Sequence, residues 1–129
     1  MNEQVRERIA EISMQYTNPE AAVLAALQEA QKSGGYLQQE DMAEVASILK
    51  VPLSAVFASC SYYSMLNRKP VGKYHIEIDT NIPAMLAGSG ELLAHVEKRL
   101  GIRAGETTKD GLFTLSTVED LGACGTCPV

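Results

Sequence analysis

The sequence contains few cysteines, and their number is odd. Cys60, Cys124 and Cys127 are the three thiols among 129 residues. A small, odd number of cysteines argues against a disulfide framework, which is built from several paired cysteines. The chain also has no apolar run of the length needed for a signal peptide or a membrane span. We therefore expect a cytoplasmic protein that does not insert directly into a membrane.

Positive charge is scarce as well. Lys and Arg number 11 against 16 Asp and Glu, which gives a formal net charge of −5. Lys98, Arg99 and Arg103 lie among glutamates and form no basic stripe. A nucleic-acid partner is therefore not expected, because phosphate backbones are bound by clustered basic side chains. With 46% hydrophobic and 21% charged residues, the composition is that of an ordinary globular chain.

Apolar spacing predicts short helices throughout the first half of the chain. Asn18 followed by Pro19 is typical of a helix start, and Gly34 with Gly35 of a helix end. Pro52 is expected to start the fourth helix. The apolar positions of the four predicted helices are Val5, Ile9 and Ile12; Val23, Leu24, Leu27 and Ala30; Met42, Val45, Ile48 and Leu49; and Val56, Phe57, Cys60 and Tyr63, with Met65 near the end. Short connections favour an up-and-down bundle.

The pattern changes after residue 70. Residues 74–79 alternate apolar and polar side chains, which predicts a strand, and residues 112–115 predict a second one. Residues 80–83 are turn-rich, and Leu92, Leu93, Val96 and Leu100 predict a helix closed by Gly101. A strand, a helix and a strand indicate a parallel crossover unit. Such a unit has unpaired sheet edges, so we expect a partner to cover them.

Eight short segments along the chain form an ordered series: GYL at 35–37, YSM at 63–65, PVGKYHI at 70–76, TN at 80–81, GI at 101–102, GETT at 105–108, DGLFTL at 110–115, and LGACG at 121–125. In order and spacing, from about residue 5 to the last residue, the chain resembles the family of NADH-quinone oxidoreductase E subunits, which are thioredoxin-like [2Fe–2S] ferredoxin subunits. Related subunits serve NAD-linked hydrogenases, formate dehydrogenases and electron-bifurcating complexes. The resemblance implies an α+β fold, with a helical bundle over residues 1–69 and a thioredoxin-like domain over residues 70–129.

The resemblance also implies where a [2Fe–2S] cluster would be held. The family has four cysteines in a Cys-Thr-Asn-x-x-Cys loop and a Cys-Leu-Gly-Ala-Cys loop. This chain has Asp79, Ala84 and Asp120 at three of those positions and a cysteine, Cys124, only at the fourth. Iron in such clusters is bound by thiolates, and occasionally by histidine. We therefore expect a degenerate site with no cofactor of its own.

Two other interpretations of these residues stay open. Asp79, Asp120 and Cys124 could retain an unusually ligated cluster if Cys127, which stands where the family usually has alanine, served as a substitute ligand. Alternatively, Cys124 and Cys127 form a Cys-x-x-Cys motif that could act as a redox dithiol. A zinc site from the same four residues is less expected, because structural zinc prefers Cys and His ligands.

The family context predicts a function in a larger assembly. We expect a non-catalytic accessory subunit that docks on an NAD(P)H-binding FMN flavoprotein, with further iron–sulfur clusters in partner subunits. Family members usually continue with a strand pair and a helix after the segment that ends here at Val129, so we expect a shortened domain whose exposed edge a partner covers.

The remaining chemistry-bearing residues have structural interpretations. Asp79 and Asp120 are predicted to be solvated replacements, and not an acid–base pair, because no substrate pocket is indicated. His75 is expected to be a structural histidine and Cys60 a buried small hydrophobe. Residues 88–90, GSG, are interpreted as a helix entry rather than a phosphate loop. Tyr62, Tyr63, Tyr74 and Met65 are candidates for a face that contacts the flavoprotein.

Overall fold

The computed structural model describes residues 1–129, which divide into two compact units, Met1–Pro70 and Val71–Val129. The first unit is helical, and the second combines two strands with two helices. The fold is therefore α+β. No helix in either unit is both long and apolar enough to cross a bilayer.

Four α-helices and a short 3₁₀ turn make up the first unit. They are α1 (Glu3–Ser13), the 3₁₀ turn (Pro19–Ala22), α2 (Val23–Gly34), α3 (Gln39–Leu49) and α4 (Leu53–Tyr62). Asn18 accepts a hydrogen bond from the Glu20 N–H ahead of the turn. The left-handed Gly35, with φ of 78°, ends α2. The predicted start at Pro19 is thus a 3₁₀ turn that leads into α2.

The core of this unit comes from one face of each helix. Its fully buried side chains include Ile9, Leu27, Val45, Val56 and Cys60. Cys60 is therefore a packed apolar side chain, as its sequence context indicates. The fourth helix is shorter than the pattern predicted, because the chain becomes extended at Tyr63 and Met65 lies beyond the helix.

The second unit consists of β1 (Tyr74–Asp79), α5 (Ile82–Leu86), α6 (Ser89–Leu100) and β2 (Phe113–Val118). The strands pair in parallel, with register from Tyr74 opposite Phe113 to Asp79 opposite Val118. Ile78 and Leu115 are buried in this unit. Residues 82–86, within and just after the predicted turn, form α5 instead, because Asn81 accepts a hydrogen bond from the Ala84 N–H at 2.8 Å and caps the helix.

Parallel pairing decides where the functional loops begin. Both strands end at the same edge of the sheet, since Asp79 and Val118 are register partners. The Thr80 N–H and hydroxyl both donate to the Val118 carbonyl, at 2.9 and 3.0 Å. The loops that follow β1 and β2 therefore start side by side.

Candidate functional site at the carboxyl ends of the strands

Asp79 is the last residue of β1, and its side chain is completely buried. The Val129 N–H donates to its Oδ1 at 3.3 Å, and the Cys127 thiol donates to its Oδ2 at 3.6 Å. The Asp79 N–H donates in turn to the Val129 main-chain oxygen at 3.0 Å. The expectation that Asp79 is solvated is therefore wrong, because protein donors replace water around its carboxylate.

Asp120 organises the loop after β2 and is exposed, in agreement with its interpretation as a solvated residue. Its Oδ1 accepts a hydrogen bond from the Gly122 N–H at 2.7 Å. Gly122 has φ of 70°, a conformation that glycine adopts readily. The same carboxylate lies 3.6 and 3.8 Å from the Cys124 sulfur. Asp120 and Cys124 thus form a pair at the surface.

Asn81 connects the two loops. Its Oδ1 caps α5, while its Nδ2 donates to the Cys124 sulfur at 3.4 Å. Sequence reasoning gave Asn81 no role. The available signal was an asparagine two residues before a proline, which is typical of a helix N-cap with proline in the first turn.

Ala84 lies in the first turn of α5 and is fully buried. Its side chain is a methyl group, which can donate no electron pair to a metal. The ligand position that the resemblance assigns to residue 84 is therefore a packed apolar position in this fold.

Cys127 is partly buried and directed toward Asp79. Burial raises the pKa of its thiol, and so do the hydrogen bond to Asp79 and the negative charge there; Cys124 and Asp120 add smaller effects in the same direction. The thiolate, which is the form that binds metals and attacks disulfides, is disfavoured as a result. The Cys127 thiol is held as a hydrogen-bond donor.

The acidic residues and cysteines of the site form two contacting pairs. Asp79 contacts Cys127, and Asp120 contacts Cys124. No three His, Cys, Asp or Glu side chains in the described chain, residues 1–129, are grouped so that they could hold a metal ion. The parallel strands thus bring the predicted residues to one edge of the sheet without making a convergent ligand set.

The other residues singled out in the sequence have simple environments. The His75 Nε2 lies 2.8 Å from the Ser116 hydroxyl on the neighbouring strand. Ser89 is buried at the start of α6, and Gly88 before it is left-handed. Tyr62 is 82% exposed in the first unit, where Tyr63 packs against the core. Tyr74 stacks on Phe113 in the second unit.

Sequence reasoning also missed an exposed apolar surface on α5. Ile82, Met85 and Leu86 are 72%, 64% and 85% exposed. These residues are spaced so that they share one side of the short helix. The turn-forming residues at 80–83 mask this spacing in the sequence, because they predict a turn where the helix begins.

Comparison with known proteins places this geometry in a family. Residues 9–129 match the thioredoxin-like [2Fe–2S] ferredoxins. The chain belongs to this family. It is 44% identical over 125 residues to the E 2 subunit of NADH-quinone oxidoreductase from Rhizobium meliloti (strain 1021), which covers 97% of this chain and 74% of that relative.

The E subunits of two Rickettsia NADH-quinone oxidoreductases are similar to the same degree. Those of Rickettsia typhi and Rickettsia felis are each 44% identical over 110 residues, or 84% of this chain. The match covers 65% and 66% of their lengths. The chain therefore spans about two thirds of these relatives.

The donor set of this ferredoxin-family chain does not fit a [2Fe–2S] cluster. Such a cluster needs four ligands, normally thiolates. At the positions that the resemblance assigns, Ala84 has no donor atom, Asp79 is buried and engaged with Cys127 and Val129, and Asp120 offers oxygen. One thiol, that of Cys124, remains at such a position.

Proposed function

We propose that this chain is a small accessory subunit of an NAD(P)H-oxidising flavin and iron–sulfur complex, and that its own cluster site is degenerate. It docks on an FMN-containing flavoprotein subunit and provides structure there rather than a redox centre. Membership in the ferredoxin family and the similarity to NADH-quinone oxidoreductase E subunits support the assignment to such a complex.

One observation carries the proposal of a degenerate site: Ala84 has no donor atom, and the buried Asp79 carboxylate is hydrogen-bonded within the protein. Neither side chain supplies the thiolate that iron in such a cluster normally needs. The Asp79 carboxylate is already satisfied by two donors, and releasing it would leave the Val129 N–H without this acceptor.

An electron carrier with unusual ligands is less well supported by the geometry. That alternative requires Asp79, Asp120, Cys124 and Cys127 to converge on iron. Instead, Cys127 is hydrogen-bonded to Asp79, and Cys124 lies beside Asp120.

A redox dithiol is disfavoured by the environment of the motif. Reactive Cys-x-x-Cys motifs lower the pKa of a thiol, commonly at the N-terminus of a helix. Here the pKa of Cys127 is raised, and the helical segment at the motif is a single 3₁₀ turn, Cys124–Thr126. This geometry favours a protonated, unreactive thiol at Cys127.

Anaerobic purification with iron, sulfide and absorption measurements tests the proposal. The full chain is expected to be colourless and to contain far less than the ~2 iron and ~2 sulfide per chain of a complete [2Fe–2S] cluster. A matched variant carrying Asp79→Cys, Ala84→Cys and Asp120→Cys restores sulfur at the three substituted positions. We expect that variant to take up iron and sulfide and to become coloured under the same conditions.

The restored variant serves as the positive control for cluster assembly in the expression host. Stoichiometric iron and sulfide in the unaltered chain would contradict the proposal. Their loss on Cys127→Ser would then identify Cys127 as a substitute ligand.

A further inference from the structure

The segment 124–129 is held to the end of β1 mainly through one residue. Asp79 makes three contacts with it: the Cys127 thiol to Oδ2 at 3.6 Å, the Val129 N–H to Oδ1 at 3.3 Å, and its own N–H to the Val129 main-chain oxygen at 3.0 Å. These contacts span 48 to 50 residues of sequence. They join the end of the first strand to a loop that follows the second.

Because Asp79 is buried, its carboxylate depends on these protein donors. A carboxylate that is removed from water is strongly unfavourable unless protein donors replace its hydration. A thiol is a weak donor, but hydrogen bonds to an ionised acceptor are stronger than neutral ones. Removing the Cys127 thiol would leave Oδ2 without that donor, while the backbone contacts of Asp79 would remain.

We propose that Asp79 and Cys127 form a structural pair that fastens residues 124–129 to β1 and links the two loops without a metal. The proposal depends on the proposed function only in taking the site to be free of iron. Cys127 is thus neither a ligand nor a redox thiol: it is a positioning residue that acts through Asp79.

Cys124 provides the matched control because it is exposed and contacts the exposed Asp120. Both cysteines lie in the same loop and would undergo the same change to alanine. Loss of Cys124 is expected to leave the buried carboxylate and its donors unchanged.

Amide hydrogen exchange of the full chain, measured by NMR in the presence of EDTA, tests the pair. The Asp79 N–H reports on attachment of residues 124–129 because it is hydrogen-bonded to Val129. The Thr80 N–H is hydrogen-bonded to Val118 instead and serves as the reference. Cys127→Ala is expected to speed exchange at Asp79 by about threefold or more relative to Thr80. Cys124→Ala should leave that ratio unchanged, and Cys127→Ser should restore at least half of the lost protection, since a hydroxyl can also donate.

Equal ratios of Asp79 to Thr80 exchange in the Cys127→Ala and Cys124→Ala variants would overturn the proposal. So would a failure of Cys127→Ser to restore protection of the Asp79 N–H. If Cys127→Ala does not fold, Asp79→Asn provides the test, because the two donors approach different oxygens of Asp79 and a carboxamide has an oxygen at only one of these positions. We then expect the same selective change at residue 79, and its absence would overturn the proposal. Iron and sulfide assays on these samples test the proposed function separately.

Discussion

A fully buried carboxylate needs donors from the protein, because burial removes the water that would otherwise solvate it. Asp79 has such donors in the Cys127 thiol and the Val129 main chain. The sequence allowed Asp79 to be recognised as a departure from a cysteine pattern. It could not show that the replacement is buried, since the donors lie 48 and 50 residues away. Which donors lie beside Asp79 at that sequence separation depends on the register of the two strands.

The three thiols are predicted to react at different rates. Cys124 is exposed, Cys127 is partly buried with a raised pKa, and Cys60 is buried with a pKa that burial raises. Iodoacetamide should therefore modify Cys124 first, then Cys127, and Cys60 last. The reaction is run at pH ~7.5, below the ordinary thiol pKa of about 8.5. Mass spectrometry of digested samples over time measures the order.

The lag of Cys127 alkylation behind that of Cys124 is expected to shrink as the pH rises. A raised pKa leaves less thiolate at a given pH, so alkylation of Cys127 should lag most below its folded-state pKa and gain on Cys124 as the pH rises. Asp79→Asn removes a negative charge beside the thiol and should speed alkylation of Cys127 at neutral pH. Faster alkylation of Cys127 than of Cys124 in the unaltered chain would be inconsistent with the geometry.

At the scale of elements, periodicity in the sequence predicts the strands and helices that packing and hydrogen bonding stabilise locally. The alternation over residues 74–79 predicts a strand, and these residues form β1 with those bounds. The helix α5 was missed, because its five residues are too few to show a period and its cap is a single asparagine side chain. Short helices capped by one residue are therefore the elements that patterning detects least well.

Gly72, just before β1, is predicted to be required by a close approach of two backbone segments. A Cβ at this position would lie 2.9 Å from the carbonyl carbon and oxygen of Leu112 and 3.0 Å from the carbonyl carbon of Phe113. Because backbone atoms cannot move aside cheaply, Gly72→Ala is expected to destabilise the second unit by about 1–3 kcal/mol. Urea unfolding followed by hydrogen exchange within residues 71–129 measures the change.

Gly90 is the matched control for that substitution. It lies in α6 and has no positive φ, and an added Cβ would meet no atom within 4 Å other than those of its chain neighbours and its own helix backbone. Gly90→Ala is expected to stabilise the same unit by about 0.4–1 kcal/mol, because alanine restricts the unfolded chain and favours helix. A Gly72→Ala variant as stable as the Gly90→Ala variant would show that the two backbone segments separate at little cost.

At the scale of the whole molecule, the proposed function requires that the family scaffold persist without the cluster chemistry. The ordered motifs along the chain predicted the family, which the match over residues 9–129 confirms. A fold of this kind is specified by core residues such as Leu27 and Leu115 and by strand register. Cluster binding depends on the side chains at a few positions, so it can be lost while the fold is retained.

Because the fold and cluster binding depend on different residues, we predict that association with the flavoprotein does not depend on a cluster. An affinity-tagged full chain, expressed in its native host, is expected to co-purify with an FMN-containing, NAD(P)H-oxidising subunit, identified by mass spectrometry and flavin fluorescence. The variant with Asp79→Cys, Ala84→Cys and Asp120→Cys should recover the same amount of flavoprotein within about twofold, because Asp79 and Ala84 are buried and most of the surface is unchanged. Flavoprotein recovered only with the restored variant would mean that docking requires the cluster, and an accessory role for the unaltered chain would be untenable.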